Sequence, residues 1–219
     1  MDLSTVRFGI GSHHVSHAPT GDRDLCIMEA VAFAAGEPWS DSPACASRVV
    51  SAFLRSWNDV LSDHDRDRLL PAAVWVPRLV GSRGDDATET RRAYLALDWL
   101  VRVHTPTWLA LVPSLAPHAA ALRALPEIVD MTTEQAAKDV VAAAGDAARD
   151  AARAAAGDAA RAAAGDAARA AACAAAGAAA WDAARAAALR PTVETLQASA
   201  VYLLDRMLAC GEHRREEER

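Results

Sequence analysis

One lysine, Lys138, stands among the 23 basic residues of this 219-residue chain, and 29 acidic residues outnumber them to leave a net charge of −6. Without a basic excess to release counterions from phosphates, nucleic-acid binding is disfavoured, and so is adsorption to anionic membrane surfaces. Long apolar runs are missing too. The most continuous one, Tyr94 to Val112, is interrupted by Asp98, Arg102, His104 and Pro106, which rules out a span of about 20 apolar residues through a bilayer. The first residues lack the basic and apolar regions of a secretory signal, so export is not expected. Cys26, Cys45, Cys173 and Cys210 form no CxxC pair. Neither a zinc ribbon nor a disulfide framework is indicated, and a reducing cytoplasm is the expected compartment.

Aromatic residues are scarce, at 5%, and unevenly placed: five of the six tryptophans and all three phenylalanines precede residue 131. Alanine is abundant instead, with 55 copies. Because alanine buries little area, the core is smaller than the 52% hydrophobic content suggests. The composition divides the chain into a globular unit over 1–131, an alanine-rich array over 132–190, and a C-terminal helix with a charged tail over 191–219.

Start and stop signals recur at helical distances through the first part, which predicts an all-α fold. Asp24 caps a helix ending at Gly36, and Ser42-Pro43 opens a second carrying Val49, Val50, Phe53, Leu54 and Trp57 on one face. Ser62 caps a third, broken by Pro71, with a short apolar piece following to Val80. A fourth runs from Thr88 to His104 and stops at Thr105-Pro106. Alternation of Val6, Phe8 and Ile10 is compatible with a strand, though an isolated one has little to pair with.

Thr132 and Gln135 make the spacing of a capping box. From Gly145 to Arg190 the sequence repeats every four residues as X-(Asp/Ala)-Ala-Ala. Alanine favours helix, and five Asp-to-Arg pairs at i, i+3, beginning with Asp146/Arg149 and Asp150/Arg153, add support. Four residues overshoot a 3.6-residue turn, so each repeat advances about 40° around the axis and no fixed polar face survives. An exposed rod, a wrapped helical partner, or a break at Gly145, Gly157, Gly165 or Gly177 all satisfy that geometry. Pro191 is expected to end or kink the rod. Beyond it, Val193, Leu196, Ala200, Leu203 and Met207 form the apolar stripe of a final helix that docks back.

Several residue groups have the chemistry of a site. His13, His14 and His17 precede Cys26 in a Gly/Ser-rich segment, and imidazoles with a thiolate are zinc ligands. Zinc is the cofactor such a set would hold, and solvated loop histidines are the plainer alternative. Cys26 falls in the first turn of its helix, where the dipole lowers a thiol pKa, and His104 or His118 is the candidate base for such a nucleophile. A buried, inert cysteine is the commoner outcome. Glu29, Glu37 and Asp41 are carboxylates more often capping than catalytic. The Gly81–Gly84 loop lacks the lysine of a phosphate-binding loop. Trp39 is the expected surface contact among the tryptophans, and Arg149, Arg153, Arg161 and Arg169 are the array's candidate interaction residues.

The blocks Asp24–Ala32, Gly36–Asp41, Arg55–Asp59, Pro77–Gly81 and Asp98–Arg102, followed by the alanine tetrads, resemble a group of alanine-rich proteins of actinobacteria and their phages. That resemblance implies no catalytic role for any residue. The expectation is a non-catalytic interaction or assembly protein, with the array as spacer or self-association surface. Its partner is then another protein or a second copy of the chain, as a homo-oligomer. The alternative is a small cysteine hydrolase or zinc protein centred on Cys26 and the N-terminal histidines.

Overall fold

A computed structural model describes residues 2–13, 22–166 and 174–211, with their side chains except within 156–186. The described residues are all-α, without a strand. Among them, no helix is long and apolar enough to cross a membrane. Packing divides the chain at other points than composition does: one compact unit joins Met1–Ala96 with Val201–Arg219, and the other is Leu97–Ala200.

In the first unit the chain enters through a turn over residues 3–5, with Val6 and Phe8 after it buried but Ile10 60% exposed. Among the described residues it makes one parallel bridge, Arg7 with Asp22, and beyond it the Gly9 N–H donates to the Leu25 carbonyl at 2.9 Å, so the alternation produces no strand. Helix α1 (Ile27–Ala35) is capped by Cys26 rather than Asp24, and Gly36 ends it in the left-handed region at φ 69°. Its residues from Ile27 to Ala32 are all buried, which makes it the central helix of this unit.

Helix α2 (Arg48–Val60) begins five residues later than the Ser42-Pro43 signal suggests, capped by Ser47. The intervening loop is held instead by Glu37, whose carboxylate accepts from the Ala44 N–H at 2.6 Å. Ser62 caps α3 (Asp63–Leu69) as expected, and α4 (Ala72–Leu79) follows Pro71, burying Trp75, Val76 and Leu79.

Asp85 accepts from Thr88 N–H at 2.9 Å and so opens α5 (Asp86–Trp99). The stop predicted at Thr105-Pro106 does not occur. A π-helical turn over Leu100–His104 leads directly into α6 (Thr105–Leu109). The wide turn pairs the Thr105 N–H with the Leu100 carbonyl, and the Thr107 hydroxyl takes the Val103 carbonyl at 2.6 Å. Together they accommodate the proline that an unbroken α-helix would exclude.

A 3₁₀ turn (Pro113–Leu115) and α7 (Ala116–Arg123) continue the second unit. Helix α8 (Met131–Asp166) follows, capped by Asp130 and not by Thr132. The Asp130 carboxylate accepts from Thr133 N–H at 2.8 Å, and the Thr133 hydroxyl accepts from Asp130 N–H at 3.1 Å. The carboxylate's bonds from the Thr133 N–H and, at 2.8 Å, from the Thr133 hydroxyl hold the Asp130 carboxyl below its ordinary range. Ala137 and Ala144 are buried, whereas Ala152 to Ala155 are all exposed. The inward strip therefore ends within the tetrads although Ala155, five full turns beyond Ala137, is still an alanine on the same line: the neighbours to pack against run out, and the 40° drift is not what ends it.

The tetrads are helical as far as Asp166 and again from Ala174, running through Gly145, Gly157, Gly165 and Gly177 without a break. Residues 167–173, with Arg169 and Cys173, lie outside the described residues. Helix α9 (Ala174–Ala209) also runs through Pro191, so the predicted end of the rod is absent there. Pro191 deprives the Ala187 carbonyl of its partner, but Ala187 and Ala188 are exposed and water can replace the lost N–H. The final stripe forms as expected, with Leu196, Ala200, Leu203 and Met207 buried. From Val201 onward α9 belongs to the first unit, where Asp205 pairs with Arg78 at 2.8 Å.

Candidate functional site

A polar cluster of the first unit forms where the N-terminal segment crosses the start of α1. Glu29, one turn into the helix and only 1% exposed, accepts from His13 N–H at 2.6 Å, pairs with His13 Nδ1 at 2.9 Å and accepts from Cys26 N–H at 2.6 Å. The Cys26 sulfur in turn accepts from the Glu29 N–H, closing a capping box in which cysteine replaces the usual hydroxyl. The Trp39 indole donates to the His13 carbonyl at 2.8 Å. Three of the residues singled out from sequence, His13, Cys26 and Trp39, thus meet around a fourth, Glu29.

The arrangement is not that of a nucleophile and its base. Burial, joined by the Glu29 charge, pushes the Cys26 thiol up to about 12. At neutral pH about one molecule in 10⁵ would then carry a thiolate. The dipole of α1 was expected to lower this pKa; a buried site beside a carboxylate reverses the sign. Imidazole and carboxylate are spent on backbone N–H groups and on each other, which fits them to fasten residues 9–13 to α1. Beside the cluster lies a cleft of about 310 Å³ lined by Gly11, Ser12, Cys26, Asp41, Arg55 and Asp59. Its charges are mostly committed: Asp59 accepts from Gly11 N–H at 2.9 Å, and Arg55 donates to the Asp41 carbonyl at 3.1 Å.

His14 and His17 lie outside the described residues. Among the described residues, no group of three His, Cys, Asp or Glu side chains is arranged to hold a metal ion; the expected zinc set also needs His14 and His17 and so falls outside them. His104 belongs to the second unit, in the π turn. Its Nε2 accepts from the Trp108 indole at 3.3 Å, its ring lies 5.0 Å from that of Trp99, and burial lowers its pKa. A ring nitrogen already holding an indole proton is a poor general base.

Sequence reasoning missed the buried arginines. Arg66 and Arg92 are both 0% exposed. Arg66 donates to the carbonyls of Asn58, Phe8 and Leu61 and to Asp63. Arg92 donates to the Met207 and Ser82 carbonyls and to Glu89, tying the end of α9 into its unit. Asp63/Arg66 and Glu89/Arg92 have the same i, i+3 spacing as the array pairs. Asp146/Arg149 and Asp150/Arg153 do pair, but in the open. Spacing alone does not separate a buried pair from a solvated one.

The second unit has one further feature on α8. A cleft of about 520 Å³ runs beside it, lined by Leu97, Val101, Ile128, Ala137 and Val141, with Glu134 and Lys138 at its edge. Met131 is 75% exposed and Val141 40% exposed along the same helix. Arg161 falls where side chains are not described. No protein-family model, curated protein or solved structure matches the chain.

Proposed function

We propose that this protein is a non-catalytic assembly protein that associates with itself through its alanine-rich helical surface, the tetrads beyond serving as spacer. The observation that supports this most is the outward surface of α8, where small side chains, exposed Met131 and Val141, and solvated Asp–Arg pairs lie on one well-formed helix. Small residues let helix backbones approach, and exposed ion pairs are free to exchange between chains. The high pKa of the Cys26 thiol argues against the hydrolase alternative, since such an enzyme needs a thiolate. Free Cys26, Cys45 and Cys210 suit a reducing compartment, which we take to be the cytoplasm. With a net charge of −6, nucleic acid is not the partner proposed.

Sedimentation velocity on the full chain over a wide concentration range tests this reading. A mass above that of one chain, rising with concentration, is expected. A monomer at every concentration overturns it.

A further inference from the structure

Building on that assembly reading, we propose that two copies of the chain form a two-fold dimer in which α8 packs antiparallel against α8, with the axis beside Val141 and Ala142. At 100° per residue, Met131, Glu134, Lys138, Val141, Ala142, Gly145, Arg149 and Ala152 fall within about 100° of the helix circumference, alongside the buried line through Ala137 and Ala144. Met131 and Ala152 bound a face about 30 Å long. In an antiparallel pair centred there, nothing of the partner's α8 faces the turns beyond Ala152, because the helix begins at Met131, so the contact has a natural end.

Charge fixes the orientation. A parallel pairing would set Glu134 against Glu134 and Lys138 against Lys138, like against like. Antiparallel pairing about Val141 and Ala142 instead brings Glu134 to the partner's Arg149 and keeps the two Lys138 side chains apart. Each contact occurs twice by symmetry. The same register matches size. Met131 meets the partner's Ala152, Val141 meets the partner's Ala142, and Lys138 crosses the partner's Gly145. Gly145 leaves room for this: a Cβ built there would meet nothing nearer than Arg149 Nη1 at 3.7 Å. The 520 Å³ cleft between Val101, Ile128 and Ala137 opens beside Val141 and gives the apolar centre of the contact space to close. Exposed Met131 and Val141, otherwise costly in water, are covered.

Three full-length variants test this by sedimentation equilibrium beside the parent chain. Gly145→Leu places a wedge at the crossing while improving helix propensity, so its melting temperature holds or rises as association weakens at least about tenfold. Glu134→Arg weakens association to a similar degree, and adding Arg149→Glu restores it by reinstating the opposite charges. Dimers that respond in this way support the proposal. If the parent chain associates but Gly145→Leu and Glu134→Arg associate equally well, this face is refuted while the assembly reading stands. Trimers or larger species overturn the two-fold arrangement, and a monomeric parent chain overturns both.

Discussion

At the scale of single residues, the polar groups in this core are fastened by many short bonds, and the glycines beside them are fitted to that closeness. Glu89 shows the balance. Burial pushes its carboxyl up, but bonds from the Ser47 hydroxyl and the Val49 and Gly84 N–H groups, with the Arg92 charge, outweigh it and hold the pKa below the ordinary value. Arg92 serves as the counter-charge in that network while also capping the Met207 carbonyl. Removing either partner would strand the other in a dry site. Gly9 is the tightest backbone approach near the candidate site. A Cβ there would lie 2.3 Å from the Arg23 carbonyl oxygen and 2.9 Å from His13 Nε2. Since the Arg23 carbonyl is backbone, it cannot swing aside as a side chain would. Gly9→Ala is therefore expected to destabilise the chain by about 3 kcal/mol, the upper end of ordinary overpacking, as read from urea titration. A cost below about 0.5 kcal/mol would mean that this crossing is looser than the geometry requires.

At the scale of elements, what could be read from sequence was what neighbouring residues decide. Gly36 ends α1 and Ser62 caps α3 because a left-handed residue or a short hydroxyl acts within one turn. The start of α2 at Ser47 was not legible, because it depends on a Glu37 carboxylate reaching across a loop to Ala44. Pro106 reads as a stop and Pro191 as a stop or a kink, but a π turn accommodates the first and helix continues through the second on an exposed surface. The meeting of His13, Cys26 and Trp39 around Glu29 was half visible: each residue stands out in the sequence and the capping role expected of Glu29 holds, but that its carboxylate also takes His13 depends on a segment 16 residues away. The π turn also sets a pH dependence. Burial lowers the pKa of His104 below its ordinary value, so the unfolded chain binds the proton more readily than the folded one. Stability from this group is complete above about pH 6.5, the unfolded value, and declines as pH falls toward the lower folded pKa. Protonation also removes the acceptor for the Trp108 indole. A decline in thermal midpoint below that pH, with a change in tryptophan emission, is expected, and His104→Gln should reduce both. An unaltered pH profile in the variant would assign the effect to other histidines.

At the scale of the whole molecule, the first unit is closed by the far end of the chain, an arrangement that no local pattern near residue 96 announces. Leu203, Leu204, Met207 and Leu208 are each 2% exposed or less within it. Burying such side chains contributes about 1.5–3 kcal/mol each, so the four together supply an amount comparable with the roughly 5–15 kcal/mol that holds an ordinary domain folded. The same segment satisfies Arg92 through the Met207 carbonyl and Arg78 through Asp205. A chain ending at Ala200 keeps every residue of the second unit but leaves Arg92 and the surrounding apolar surface open. The expected result is loss of the first unit's cooperative melting, followed by calorimetry, with retention of helical circular dichroism from α8. Supplying residues 201–219 as a separate peptide should restore part of the transition, because the missing contacts come from one continuous helix and need no rearrangement elsewhere. If the shortened chain instead melts as the intact one does, the C-terminal turns are attached to a unit that is already complete, and the buried bond from Arg92 contributes far less than its surroundings demand.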